Sequence, residues 1–243
     1  MLQDVPETPC HCVNLGWINV WRVTKTASPR KIPQPPTRLP FLKEDETKLR
    51  LSGVLESGVR YATLSHCWGS HKFLTLGRVD PDAFRIRVPA EVLPKTFTDA
   101  IEIARFLCID YLWIDSLCIL QDDPRDWKRA SLSMTSVYGG SFVNLAASRP
   151  IDGSAGCFFN RDTDWRCQIK VRSGESSETY DAIQYHYGNS LANAPLAPQG
   201  WAIQELLLPC RTLLFTRHEV FWECDKLVVS ATFPNQDPPT TWI

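Results

Sequence analysis

The chain shows no excess of charge of either sign: 26 Lys and Arg stand against 27 Asp and Glu, a formal net charge of -1. Such a balance lacks the basic surface that coats phosphates, so nucleic acid is not an expected partner. Long apolar runs are missing as well. Tyr111 to Ile114 and Leu206 to Leu208 are cut by Asp115 and Pro209, far short of the about 20 residues that span a bilayer, so no membrane association is expected. Residues 1–20 carry Asp4 and Glu7 and no Lys or Arg. They lack the charged start and apolar stretch of a secretory signal, and the expected location is cytoplasmic. No repeat recurs at solenoid periods.

What is present describes a folded protein. The 243 residues are 44% hydrophobic and 22% charged, enough for one large or two small domains with a real core. Nine cysteines, an odd number running from Cys10 to Cys224, do not form the paired framework of a small secreted domain and read mostly as buried thiols. Cys10, His11 and Cys12 could begin a metal site. A zinc centre needs a second ligand pair, and Cys67, Cys118, Cys157 and Cys224 each stand alone, so no metal is expected.

Residues 24–50 contain Pro29, Pro33, Pro35, Pro36 and Pro40, then the polar run Lys43 to Lys48. This composition favours an extended, weakly structured linker or lid. The aromatic stretch Leu15 to Val23, with Trp17 and Trp21, precedes it. From Tyr61 onward, strand and helix signals alternate. Tyr61 to Ser65 is a β-prone run stopping at Trp68-Gly69, and Phe97, Ala100, Ile101, Ala104, Leu107 and Cys108 fall on one helical face. Tyr111 to Ile114 reads as a central strand ending in a polar loop. Asp123, Pro124 and Asp126 supply an N-cap, a first-turn proline and a first-turn acid. The helix they open places Trp127, Ala130, Ser131, Met134, Val137 and Tyr138 on one face until Gly139-Gly140, and Phe142 to Ala147 is the next strand. This alternation predicts an α/β fold with a mostly parallel sheet and flanking helices. Cys167 to Arg172 and Tyr180 to His186, separated by polar Ser173 to Glu178, read as an inserted β-hairpin; Trp201 to Leu208 is a short helix, followed by strands Thr212 to Thr216 and Val220 to Cys224.

Ligands of open parallel sheets bind beyond the carboxyl ends of the strands. Two polar clusters fall there: Ser65-His66-Cys67-Trp68-Gly69, and Asp115-Ser116 with Gln121-Asp122-Asp123. His66 and Cys67 are neighbours on an extended chain and point to opposite faces, which disfavours a thiol protease. Asp115 and Gln121 are equally readable as turn-capping residues. A third cluster is Trp201-Ala202-Ile203-Gln204-Glu205-Leu206, in which helical spacing groups Glu205 with Trp201 and Leu208. A carboxylate between large apolar groups is either a functional group or a helix-surface acid.

Several of these segments together carry a resemblance: Tyr61-Ala62-Thr63-Leu64-Ser65-His66-Cys67-Trp68-Gly69, Leu93-Pro94-Lys95-Thr96 with Asp99-Ala100, Tyr111 to Ile119 running into Gln121-Asp122-Asp123, Asp126-Trp127, and Gly200-Trp201 to Glu205. In this order they resemble the heterokaryon incompatibility (HET) domain of filamentous fungi over about residues 61–224. Gln199 departs from the pattern, which usually has arginine before Gly-Trp; this affects an anion contact or a helix-entry contact. The resemblance implies an N-terminal extension with a Pro-rich segment over 1–60, a HET-like α/β domain over 61–233 and a Pro-rich tail over 234–243.

The HET family is distantly similar to TIR domains, which have a flavodoxin-like parallel sheet. TIR domains that cleave NAD carry Trp-Cys-x-x-Glu-Leu with the catalytic glutamate four residues after tryptophan, the spacing of Trp201 and Glu205. The resemblance therefore implies Glu205 as the catalytic candidate, with Ser65, His66, Trp68, Asp115, Gln121 and Trp201 as substrate-binding candidates and NAD as substrate rather than resident cofactor. Trp68 would stack on a nicotinamide or adenine ring, or is simply a core aromatic. The implied role is an effector of fungal nonself recognition and programmed cell death. The competing readings are a non-catalytic module acting by homo-oligomer or partner assembly, and a metabolic enzyme that reuses the scaffold.

Overall fold

The structure, a computed structural model, describes residues 35–42, 47–51, 58–70, 72–78, 81–158, 166–174, 176–183, 187–225 and 227–231. Cys10, His11, Cys12, Trp17, Trp21 and the tail 234–243 lie outside the described residues.

Alternating side chains along short β-prone runs build a six-stranded sheet. Its strands are β3 (Ala62–His66), β4 (Leu112–Trp113), β5 (Val143–Ala147), β8 (Arg211–Phe215), β9 (Val220–Cys224) and β10 (Leu227–Ser230), in the spatial order β10-β9-β8-β5-β3-β4. β3 pairs in parallel with both β4 and β5, and β5 with β8, while β9 and β10 turn back antiparallel at one edge. The strands read at Tyr61, Tyr111 and Phe142 thus lie in one parallel sheet, as their intervening helical periodicity predicts. The chain leaves β3 for β4 on one side and returns across β3 to β5 on the other. That reversal marks a switch point between β3 and β5, where open α/β sheets take their ligands.

Helices cover both faces. α2 (Lys95–Phe106), which follows the shorter α1 (Pro81–Ile86), packs on β3; its buried Phe97, Ala100, Ile101 and Ala104 meet Ala62, Leu64, Val143, Leu145 and Ala147. The helix ends at Phe106, earlier than its apolar periodicity suggests, because Cys108 takes a left-handed conformation at φ 55° and turns out to solvent. The opposite face receives α4 (Pro124–Gly139) and α6 (Ala202–Leu207), which also touch each other. α4 starts as its sequence dictates: Asp123 Oδ1 accepts the Arg125 N–H at 3.0 Å, with Pro124 at the first helical position. Between β4 and α4, the expected polar loop instead forms one helical turn, α3 (Asp115–Cys118).

Two expectations are corrected. On α4, Asp126 faces inward, while Trp127 and Ser131 are exposed. The reason is Arg38, whose guanidinium grips both oxygens of Asp126 at 2.8 and 3.1 Å; a paired carboxylate can occupy a position that apolar periodicity reserves for a hydrophobe. Arg38 belongs to the segment read as a weakly structured linker. Its described part forms a hairpin, β1 (Arg38–Phe41) with β2 (Lys48–Leu51), and buries Leu39 and Leu42 in the core. Beyond β2, the end of β1 also meets the chain before β4, through a bridge from Phe41 to Tyr111 and the Leu42 N–H bonded to the Asp110 carbonyl at 2.8 Å.

The inserted hairpin is present as β6 (Arg166–Ser173) and β7 (Ser176–Ile183), with Ser176 to Glu178 inside the second strand rather than in the turn. The helix α5 (Tyr187–Ala192) follows it. The loops beyond β3 and β5 are tightly locked. Gly69 has φ +65°, and a Cβ on it would fall 2.3 Å from Asp152 Cβ, so only glycine fits. Asp99 on α2 accepts the backbone N–H groups of Cys157 and Phe158 at 2.7 and 3.2 Å and pairs with Lys95. This explains the use of Lys95 and Asp99 in their segment: they anchor the loop after β5. Among the described residues no helix is long and apolar enough to cross a membrane.

Candidate functional site

The period of two in β3 and β5 sends polar residues to one face. Thr63, Ser65 and Asn144 point toward α4 and α6, between two layers of apolar packing. Asn144 Oδ1 accepts both the Thr63 and the Ser65 hydroxyls, at 3.0 and 3.1 Å, and Asn144 Nδ2 donates to the Glu205 carbonyl at 2.9 Å. The amide thus ties the first turn of α6 to two strands.

The Glu205 side chain enters the same space. It is only 5% exposed and interacts with the hydroxyls of Ser65 and Tyr138. Burial pushes its carboxyl up to about 8, the negative charge of Asp115 adds to this, and the two hydroxyls pull it part of the way back. Tyr138 is itself held far above the usual phenol range by burial, then by the charges of Glu205 and Asp115.

Asp115 heads the one-turn helix after β4. Its Oδ1 accepts the Ser116 N–H at 2.7 Å and its Oδ2 accepts the Trp68 indole N–H at 2.8 Å. Trp68 therefore hangs over the end of β3, hydrogen-bonded at one end and edge-on to Phe73 at 5.4 Å between ring centroids. His66, on the α2 side of β3, lies beneath it with centroids 6.4 Å apart and meets Phe97 at 4.9 Å. Burial lowers the His66 pKa and Asp115 opposes the shift, which favours a neutral imidazole.

The structure thus brings Ser65 and Asp115 to Glu205 at the carboxyl ends of β3 and β4, while Trp68, bonded to Asp115, packs with His66 and Phe73. Gln121 plays a different part. Its Nε2 donates to the Asp115 and Ile119 carbonyls, both at 3.1 Å, and so closes the turn behind Asp115. Trp201 is also separated from the cluster. It sits at the N-cap of α6 and is 53% exposed, whereas the inward face of that helix is Ala202 and Glu205. The expected sharing of a face by Trp201 and Glu205 fails: the Trp201 carbonyl accepts the Glu205 N–H at 3.3 Å, yet the indole stays in solvent while Glu205 turns inward.

Cys67 is buried, and burial pushes its thiol up to about 11, with the Gln199 side chain bonded to it. A thiol so far above neutrality does not supply a nucleophile. A pocket of about 410 Å³ lies elsewhere, between Pro35, Arg38, Trp113, Asp126, Arg129 and Val137, and does not include Glu205.

Sequence reasoning missed Asn144 and Tyr138. Asn144 left a signal: a lone amide within the apolar run Phe142 to Ala147, on the same alternation that makes Thr63 and Ser65 polar in β3. Tyr138 left none, since its spacing is that of an ordinary core residue on α4.

No curated protein and no solved structure matches the chain. A family model described as "Heterokaryon incompatibility protein (HET)" matches residues 61–205, which begin just before β3 and end at Glu205. With more than half of its length covered by that match, the chain belongs to the heterokaryon incompatibility protein family.

Proposed function

We propose that this HET domain is an effector of fungal nonself recognition and cell death that hydrolyses the nicotinamide–ribose bond of NAD, with Glu205 as the catalytic carboxyl. Membership of the family points to heterokaryon incompatibility. The observation that carries the catalytic part is the convergence of Glu205, Ser65, Tyr138 and Asp115 at the switch-point end of the sheet, with Glu205 shifted to about 8. Strongly shifted carboxyls that have a specific charged neighbour cluster at functional sites. The order of the parallel strands also supports a TIR-like, flavodoxin-like arrangement, since counted along the chain it is second, first, third, fourth.

In the reaction the bond from C1′ to the pyridinium nitrogen breaks, its electron pair leaves with nicotinamide, and water adds at C1′ with loss of one proton. Nicotinamide departs without protonation, so the protein's task is to stabilise the positive charge that develops on the ribosyl group. The ionised form of Glu205, which gains population as the pH rises toward about 8, would supply that stabilisation, with Asn144 fixing its backbone. Glu205 is nearly covered, with 5% of its surface exposed.

The test is NAD turnover per folded molecule. Glu205→Gln preserves shape and removes the charge, so nicotinamide release falls by orders of magnitude with no loss of thermal stability. Equal turnover in the variant, or none in folded wild type, removes the proposal. A second reading, assembly without catalysis, is favoured by the solvent-facing Trp201, Ile203 and Leu207 of α6, an apolar group with which a second chain could pack. It predicts loss of signalling on Leu207→Asp with Glu205→Gln silent.

A further inference from the structure

The pocket of about 410 Å³ between the start of β1 and α4 takes no part in the Glu205 cluster, and its size is that of a small-molecule site. Its walls follow from the sequence. Pro35 and Pro36 lead the chain into β1 with fixed φ and no backbone N–H to donate to the surface they cross. Opposite them, α4 presents the short side chains of Ala130 and Ser133, which leave the space open. Trp113, Ile119 and Val137 also line it, each no more than 5% exposed. The body of a ligand here meets apolar surface.

Three charged side chains line the pocket: Arg38, Asp126 and Arg129. The first two cancel. Arg38 holds both oxygens of Asp126 and also donates to the Cys118 carbonyl at 2.9 Å, while the Leu120 N–H donates to Asp126 Oδ2 at 2.9 Å. Arg129 is left over. Among the described residues its one polar contact is to Asp126 Oδ1 at 3.5 Å, the limit of hydrogen-bond range, and its side chain is 68% exposed. A guanidinium has five N–H donors, so most of this fork is open to an incoming group.

Two cations against one anion give the pocket a single excess positive charge, carried by Arg129. The planar fork matches a carboxylate, which it can hold by two parallel hydrogen bonds. A dianionic phosphate fits less well, because its second charge has no cation to meet and approaches Asp126, which has the same sign. The proline rings and the Trp113 indole give an aromatic ring apolar surfaces to pack on.

We infer that this pocket binds an aromatic monocarboxylate, with its carboxylate on Arg129 and its ring in the apolar interior. The site is separate from Glu205, so turnover of NAD, or its absence, has no bearing on it.

The test is calorimetric titration of the full chain with 2-naphthoate, and with 2-naphthamide and 2-naphthyl phosphate as the neutral and dianionic counterparts. Naphthoate binds one per chain with a Kd below about 1 mM, and the other two bind about tenfold more weakly or worse. Arg129→Gln removes the charge from an exposed position; it weakens naphthoate about tenfold and leaves naphthamide unchanged. Arg125→Gln, an exposed arginine of α4 outside the pocket, changes neither. Ala130→Phe fills the interior and abolishes binding of all three. Should that variant fail to fold, Ser133→Phe, at an exposed position, blocks the same space. Folded wild type that does not bind naphthoate overturns the inference. So does naphthamide or naphthyl phosphate binding as tightly as naphthoate, equal weakening by Arg129→Gln and Arg125→Gln, or binding that survives Ser133→Phe.

Discussion

The two faces of the central sheet are made from the same strands and differ in almost everything else. Toward α2, β3 and β5 present Ala62, Leu64, Val143, Leu145 and Ala147, packed on Phe97 and its neighbours with no polar side chain among them until His66 at the strand end. Toward α4 and α6 the alternate residues are Thr63, Ser65 and Asn144, joined to Glu205 and Tyr138. The first face holds the fold by area. The second holds it by hydrogen bonds whose geometry must be met, and for that reason can place a shifted carboxyl where an apolar layer could not.

The largest expected effect tests the apolar face. Phe97→Ala removes a fully buried ring that touches both His66 and Phe73 and should cost about 3–5 kcal/mol in chemical denaturation. A cost below about 1 kcal/mol would mean that this face is not the main source of stability. Next comes the ionic contact at the edge of the polar face. Arg38→Met leaves buried Asp126 with only the longer contact to Arg129, at 3.5 Å, and should destabilise by about 3 kcal/mol. Burial alone would raise the Asp126 carboxyl, but Arg38, the Leu120 N–H and Arg129 hold it below its ordinary value. Its stabilisation is therefore present above the unfolded pKa of about 4 and is lost as pH falls further, and the Arg38→Met difference should shrink in acid.

A third measurement separates the faces by pH. Glu205 has a folded pKa near 8, above its unfolded value, so the folded state holds a proton that the unfolded state has lost between about pH 4.5 and 8. Stability from this group is complete below that interval and declines through it, by up to about 1.4 kcal/mol per pH unit. Glu205→Gln should abolish the decline, whereas Phe97→Ala should leave its slope unchanged. The smallest effect is expected outside both faces. Leu132 on α4 is 79% exposed, and Leu132→Ser should change stability by no more than about 0.5 kcal/mol; a larger loss would show that α4 has a buried surface on its outer side.

How much of this was legible differs between the faces for a physical reason. The apolar face follows from local periodicity: Phe97, Ala100, Ile101 and Ala104 recur every three to four residues, and the strands alternate, so both elements and their inward sides can be read directly. The polar face depends on contacts between distant segments. Arg38 and Asp126 are 88 residues apart, and Asn144 and Glu205 are 61 apart. Nothing local to Asp126 announces a buried carboxylate, and the hairpin that brings Arg38 to it was hidden by its prolines. Trp127 and Trp201 looked inward because helical spacing grouped them with apolar residues, but Asp126 and Glu205, which have tertiary partners, took the inward places.

By itself the sequence determined the alternating α/β order, the cap of α4, the family through its ordered motifs, and Glu205 as a carboxyl of interest. Those depend on steric period, capping chemistry and residue order, all of which are local. Only the tertiary structure decided that Tyr138 and Asn144 serve Glu205, that Asp115 is bonded to Trp68 and that Trp201 faces solvent. A proton's place on a buried carboxyl is set by which donors and charges fold up against it, and chain order does not specify that.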